Sequence, residues 1–417
     1  GYLYTARTAM TPDHMPLGGA ERWSHIEHGH ELYNLGHMIE GAIAYYLATD
    51  KRTLLDVVLK SLDLVQEVFG PDGMKNPPGH QEIEIALGKL YRLTEDLRYL
   101  NLARFFLDMR GDAEGHELYG EYSQDHIPVT EQREAVGHSV RAAYLYSGMA
   151  DIAALTGDDS YISAIDAIWE DVVSTKLYLT GGIGATGGNE GFSTPYALPN
   201  ETAYSETCAS IANAMWNHRM FLLHGDARYM DVAERVIYNA FLSGISLEGD
   251  RFFYPNRLAT VTGEERQPWF PCACCPSNVV RFLPSLPGYI YAHSGRDLYV
   301  NLYIGSSGTV RTGKGAVTIS QETDYPWNGR ITLRVDPEET SDPASETTIP
   351  FGTYSVSSRP NGARTWRRTG AWSRFPNDDG WTGRHGWFFP CQLERFPREW
   401  GHPSWRGWPA TGSPNLL

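Results

Sequence analysis

The sequence predicts a mostly α-helical protein, a ring of paired helices followed by a small β module. Three observations carry that expectation. Between Glu21 and about His293, apolar residues recur three and four positions apart in segments of roughly 12 to 21 residues. Short Gly- and Asp-containing turns join these segments in pairs, as in stacked helical hairpins. After about Arg296 the period falls to two, the spacing of half-buried strands.

The segment around Ile39–Leu47 opens the helical series, followed by Thr53 to Phe69, which Gly70-Pro71-Asp72-Gly73 ends as a turn. Glu82 to Leu93 and Leu97 to Met109 come next. Ala135 to Leu155 and Tyr161 to Ser174 are joined by Thr156-Gly157-Asp158-Asp159. Ala203 to Leu223 and Met230 to Leu242 are joined by Gly225-Asp226. A turn followed by Tyr recurs at Tyr99, Tyr161 and Tyr229, a spacing of about 60 to 70 residues, longer than common solenoid repeats. It fits hairpins separated by functional loops, and Gly181-Gly182-Ile183-Gly184-Ala185-Thr186-Gly187-Gly188 suits a site at one end of a closed ring. In the β module, Asp297–Ile304, Ala316–Ser320 and Arg330–Val335 alternate. Pro326-Trp327-Asn328-Gly329 turns between the last two. At least three strands are expected, too few to close a sandwich alone.

The chain has 417 residues, with 35 basic and 50 acidic side chains and a formal charge of −15. That balance argues against a nucleic-acid partner, which needs a basic face. No apolar run approaches the roughly 18 residues of a membrane span. Gly1-Tyr2-Leu3-Tyr4-Thr5 lacks a charged-then-apolar leader, so either a leader has been removed or the chain starts within a longer protein. The end of the chain is unusual. From Arg359 onward there is no Ile, Val, Met, Tyr or Lys, yet nine of the Arg and seven of the 12 Trp fall there. Two readings stand: a frame-shifted, non-native tail, or an irregular extension.

Cysteine placement is informative. Of five, three fall in Pro271-Cys272-Ala273-Cys274-Cys275-Pro276, with Cys208 and Cys391 elsewhere. Clustered thiols in a large chain read as metal ligands or reactive thiolates in a reducing, cytoplasmic setting, rather than as a disulfide framework. Adjacent Cys274 and Cys275 can reach one ion from a helix start, and Pro276-Ser277-Asn278 looks like one. Glu206 and Cys208 would complete one oxygen and three sulfurs, enough for tetrahedral zinc. Ordinary buried thiols are the alternative.

Carboxylates and imidazoles add to this. Glu190 lies in Gly187-Gly188-Asn189-Glu190-Gly191-Phe192, where an acid on a Gly-rich loop can serve as general acid/base or simply face solvent. His30, His37, His80 and His138 each fall near an expected helix start. One such His is an ordinary capping or core residue. Four in parallel positions among many Trp and Tyr suggest a polar pocket with aromatic walls, suited to sugars.

At Gly79-His80-Gln81-Glu82-Ile83-Glu84, Gly137-His138-Ser139-Val140-Arg141-Ala142, Thr180–Gly184, Asn189–Phe192, Ala203–Ser210, Phe253-Tyr254-Pro255-Asn256 and Cys272–Asn278, the sequence resembles the β-L-arabinofuranosidase family, glycoside hydrolase family 127. The resemblance runs from about Arg22 to Val335. It implies an (α/α)6 barrel followed by an incomplete β-sandwich module, with residues 1–295 as the catalytic barrel, 296–357 as the start of the sandwich and 358–417 as the aberrant tail. It also implies more helix ahead of Gly1, hence a barrel lacking part of its N-terminal region.

The implied activity is removal of β-linked L-arabinofuranose from plant glycans or glycoprotein oligosaccharides with retention of configuration. Carried over position by position, Glu206, Cys208, Cys274 and Cys275 match zinc ligands, Cys274 the nucleophile and Glu190 the general acid/base. His37, His80, His138 and Tyr254 match sugar contacts. The expected partner is a small oligosaccharide or glycan, with no nucleic acid or membrane, and a homodimer is compatible with the sequence. A related glycosidase on another pectic sugar, a polysaccharide lyase on an α/α barrel, and a zinc-stabilised carbohydrate-binding protein are the competing readings.

Overall fold

The computed structural model describes residues 1–9, 18–294, 297–312, 315–337, 345–349, 354–358 and 364–368. They fall into two compact units. One comprises Gly1–Arg219 and Arg235–Val280, the other Met220–Glu234 and the chain from Arg281 onward. Cys391 and nearly all of the unusual tail lie outside the described residues.

The first unit is built from helices in two layers. After a short α1 (Thr5–Ala9), the chain forms α2 (Glu31–Thr49) and α3 (Thr53–Val68), α4 (Ile83–Thr94) and α5 (Leu97–Asp108), then α6 (Ser139–Thr156) and α7 (Asp159–Asp171). α8 (Thr207–His224) and α10 (Cys274–Phe282) follow in the chain, with α9 (Ala227–Arg235) between them; residues 220–234, the end of α8 and all but the last residue of α9, belong to the second unit. Burial separates inner from outer helices. α6 is buried along Ser139–Ala153, on every face, as a helix enclosed by others must be. α3 instead buries one stripe, Leu55, Val58, Leu62 and Val65, spaced three and four apart. Inner helices are neighbours, α2 against α4 and α4 against α6, while α3, α5 and α7 back them.

The recurring turn-then-Tyr motif has a physical basis. Asp96, Asp158 and Asp226 each accept a hydrogen bond from the backbone N–H two residues on, at 3.0, 3.0 and 2.9 Å, satisfying a donor left open at a helix start. Tyr99, Tyr161 and Tyr229, three residues after each cap, are buried. Each preceding helix ends on a left-handed residue, Glu95, Gly157 or Gly225. Cap, αL stop and buried Tyr together make a tight hairpin.

Two helices begin later than their hydrophobic pattern suggests. α6 starts at Ser139 rather than Ala135, because Gly137 has φ +69° and passes so close to Glu121 that a Cβ would lie 1.9 Å from its carbonyl oxygen. α8 starts at Thr207 rather than Ala203, after Ser205 with φ 38°. Both delays put a loop where the helix would have been, and those loops carry the site. α7 and α9 each run into a π-helical turn, Val172–Lys176 and Val236–Phe241.

In the second unit, strands form two four-stranded antiparallel sheets, ordered β1-β2-β7-β8 and β3-β4-β5-β6. The strands are β1 (Tyr291–Ser294), β2 (Asp297–Val300), β3 (Ser306–Thr312), β4 (Gly315–Thr323), β5 (Ile331–Pro337), β6 (Ser345–Ile349), β7 (Tyr354–Ser358) and β8 (Arg364–Arg368). The three alternating runs fall on β2, β4 and β5. Ile319 pairs with Val335 and Thr323 with Ile331, so the period of two puts Ile319, Ile331 and Leu333 inward. β1 was hidden within the last helical stretch, because four residues are too few for either period to show. No helix is long and apolar enough to cross a membrane among the described residues.

Gly137→Ala tests the delayed start of α6. With φ positive and no room for a methyl group, it should cost more than about 1 kcal/mol. Urea denaturation should show the loss, whereas Gly41→Ala, with nothing within 4 Å of the new Cβ, should not be destabilising.

Candidate active site

The site residues gather where the inner helices begin. Glu206 and Cys208 flank the first residue of α8, and Cys274 and Cys275 are the first two residues of α10. The structure thus starts that helix two residues ahead of Pro276. One ligand atom from each of these four side chains lies within 4.8 Å of all the others. Cys274 Sγ is 3.6 Å and Cys275 Sγ 3.5 Å from Glu206 Oε1, and Cys208 Sγ is 3.5 Å from Cys275 Sγ. Glu206, Cys208 and Cys275 are buried, and Cys274 is only partly so. Cys272 is exposed and stands outside the group.

This cluster is unfavourable without a cation. Burial pushes Glu206 well above the ordinary carboxylate range, with the neighbouring Cys274 and Glu190 charges adding to it. Its second oxygen is buried without a hydrogen-bond partner, and no basic side chain pairs with it among the described residues. Three sulfurs and one carboxylate at this separation could hold a metal ion, and such a donor set suits a soft, tetrahedral one.

Glu190 is clamped nearby. Its carboxylate accepts from Tyr204 Oη at 2.6 Å and Tyr122 Oη at 3.3 Å, and lies 3.0 Å from His138 Nε2. The His138 hydrogen bond, opposed by partial burial and joined by those of Tyr204 and Tyr122, holds Glu190 down to about 2. Tyr204 also connects the two clusters, since its ring meets that of Tyr254 at 6.3 Å and it lies two residues before Glu206. Backbone pairing holds this in place: Thr207 donates to Tyr254 O at 3.1 Å and Asn256 to Tyr204 O at 3.1 Å.

Imidazoles and phenols form the adjoining wall. Tyr33 packs on His37 at 4.4 Å and on His80 at 4.3 Å, and His80 meets His138 at 5.9 Å. His37 Nδ1 lies 3.2 Å from the buried Glu82 carboxylate. Burial, then the Arg141 charge, lowers the pKa of His80 well below its ordinary value and that of His30 to about 4. The wall therefore includes neutral rings that donate and accept, as sugar hydroxyls require. The His138 side chain caps α6, His30 precedes α2 without a capping side-chain hydrogen bond, and His37 is the seventh residue of α2.

The sequence-predicted residues thus form two connected groups, the sulfur–carboxylate cluster with Tyr254, and Glu190 with His138, His80 and His37. Sequence reasoning missed Tyr33, Tyr122, Tyr144 and Tyr204. Only Tyr204 carried a signal, being two residues from Glu206. Tyr144, which accepts from Asn278 Nδ2 at 3.0 Å, lies deep in α6 and looks like any core aromatic.

Known proteins resemble this chain over most of its length. The family model described as the GH127 catalytic domain of β-L-arabinofuranosidase matches residues 1–288, and that of the GH127 middle domain matches residues 297–369. The chain belongs to glycoside hydrolase family 127. It is 35% identical over 366 residues to a non-reducing end β-L-arabinofuranosidase of Bifidobacterium longum subsp. longum, covering 79% of this chain and 54% of that protein. The chain therefore spans about half the length of that curated relative. Among solved structures, a GH127 β-arabinofuranosidase superposes with a TM-score of 0.77 at 44% identity, covering 88% of this chain and 68% of that one. A GH127 β-L-arabinofuranosidase from Geobacillus stearothermophilus T6 gives 0.75 at 36%, covering 88% and 69%. These GH127 neighbours fit the α/α barrel with a following sheet module that the sequence led us to expect.

Tyr204→Phe removes one donor from the Glu190 carboxylate. The charged form loses support, so the pKa should rise from about 2 toward the ordinary value near about 4.3. Carboxyl 13C titration by NMR would show it, and an unchanged midpoint would mean that the Tyr204 contact does not hold the charge.

Proposed function

We propose that this family 127 chain carries the catalytic part of a retaining β-L-arabinofuranosidase, releasing β-linked L-arabinofuranose from plant glycans or glycoprotein oligosaccharides. The observation that supports it best is the convergence of Glu206, Cys208, Cys274 and Cys275 within 4.8 Å. The domain division proposed is a catalytic barrel over 1–295, a β-sandwich beginning over 296–357 and a tail over 358–417.

The four residues would hold zinc, whose donor preferences the set meets. Bound there, zinc would keep the thiols ionised and fix their positions. Cys274, the least buried of the four, is the nucleophile. Its sulfur attacks the anomeric carbon while Glu190 gives a proton to the departing oxygen. The sugar is then a glycosyl-thioether on Cys274. Glu190, now a carboxylate, takes a proton from water as the water oxygen displaces sulfur. Two inversions leave the configuration retained. Most retaining glycosidases place two carboxylates about 5 Å apart for this purpose, and here sulfur replaces one. His37, His80, His138 and Tyr254 would bind the furanose. The chemistry needs reduced thiols, in keeping with a cytoplasmic setting, and a small oligosaccharide or glycan as partner.

Purified protein should hydrolyse an aryl β-L-arabinofuranoside, with 1H NMR detecting the β-anomer first. Cys274→Ser should abolish turnover, and wild-type rates from it would remove sulfur from the mechanism. Glu190→Gln should slow poor leaving groups by about 10²- to 10⁴-fold and good ones far less. Elemental analysis should find zinc near one per chain. Chelation should then lower the melting temperature and activity together, and full activity in metal-free protein would overturn the zinc assignment.

A further inference from the structure

Glu190 is tied to the start of α6 through its main chain as well as its carboxylate. Ser139 donates its backbone N–H at 3.2 Å and its hydroxyl at 3.0 Å to the Glu190 carbonyl. His138 and Gly191 form an isolated β-bridge, and Phe192 N–H donates to Gly137 O at 2.9 Å. Glu190 itself has φ 52°, a left-handed conformation that a non-glycine residue keeps only where its surroundings over-determine it.

His138 is committed at both ring nitrogens. Nδ1 accepts the Val140 N–H at 3.1 Å, and that of Arg141 at 3.5 Å, capping α6. A nitrogen that accepts carries no proton, so the neutral ring bears its hydrogen on Nε2, the atom 3.0 Å from Glu190 Oε2. Rotating the ring would break the cap and the carboxylate bond together.

We infer that His138 and Ser139 are positioning residues for Glu190: the N-terminus of α6 fixes one imidazole tautomer, and that tautomer aims the carboxylate. The kinetic consequence rests on the proposed hydrolase reading, whereas the tautomer does not. His138→Asn keeps a good helix cap but is too short to hold Glu190.

Two measurements test this on the protein as purified. Long-range 1H–15N spectra, with His138 signals assigned by their loss in His138→Asn, should show a neutral ring protonated at Nε2. A proton on Nδ1, or an imidazolium at neutral pH, would overturn the inference whatever the activity. Aryl β-L-arabinofuranosides of good and poor leaving groups supply the second measurement. His138→Asn should lose at least about tenfold more kcat on the poor leaving group than on the good one. Ser139→Ala should shift the same way by less. A mere sugar contact would cost both substrates equally, because they share the furanose, and equal losses would sink the positioning role. A wild-type protein inert to both substrates would refute the hydrolase reading instead, leaving the spectra to decide the clamp.

Discussion

Glu206 sets the terms for the whole catalytic end of this protein. A carboxylate almost fully removed from solvent, with two sulfurs within 3.6 Å and no basic partner among the described residues, is costly as an anion. The fold answers with position. Glu206 immediately precedes α8, Cys274 and Cys275 open α10, and Glu190 is tied to the start of α6. Helix N-termini present unpaired N–H groups and a partial positive charge, so each is a favourable place for an anion. That support is modest beside the cost of the buried cluster, which is why the cluster is read as a cation site rather than as an accident of packing.

The same constraint explains the backbone. For the starts of α6 and α8 to meet here, the loops ahead of them turn sharply, at Gly137 before α6 and at Glu190 and Ser205 before α8, all with positive φ. Gly191 passes so near Gly137 that a Cβ would sit 1.7 Å from its carbonyl oxygen. Rigid inner helices carry these loops, and α6 and α8 are buried on all faces along most of their lengths. Two left-handed non-glycine residues, Glu190 and Ser205, sit beside the proposed chemistry, and the surrounding core holds them there.

Much of this was legible in the sequence. The hairpins could be read because amphipathic outer helices repeat with a clear period and Asp caps mark their starts. Helix starts were misplaced where tertiary contacts won: the apolar pattern runs on through Ala135 and Ala203, but Gly137 and Ser205 interrupt the helical path. The four metal-ligating candidates were legible because thiols and acids are scarce enough to stand out. Among the phenols, Tyr254 stood out through its motif and Tyr204 through its nearness to Glu206, but the others did not. Tyr33 and Tyr122 are two of 24 tyrosines, and only folding shows that one packs on His37 and His80 while the other reaches the Glu190 carboxylate. Ser139 was equally invisible, because its contact is with a main-chain carbonyl 51 residues away.

Two carboxylates in one site are pushed in opposite directions, and that contrast separates their proposed roles. Three donors hold Glu190 low, whereas burial beside sulfur raises Glu206. Glu206 therefore suits a fixed ligand, whose charge a bound cation would balance, and Glu190 suits a group that exchanges protons. An acid held near 2 is nevertheless a poor proton source at neutral pH. Its side chain keeps about a third of its surface open to solvent, and burial already acts upward on it. In the proposed reaction, a furanose covering that surface would strengthen the upward influence and compete for the phenolic donors of Tyr122 and Tyr204. Proton affinity at Glu190 should thus rise as substrate arrives and fall again when the leaving group departs. The carboxylate that remains would be the base that the second half of the proposed reaction needs.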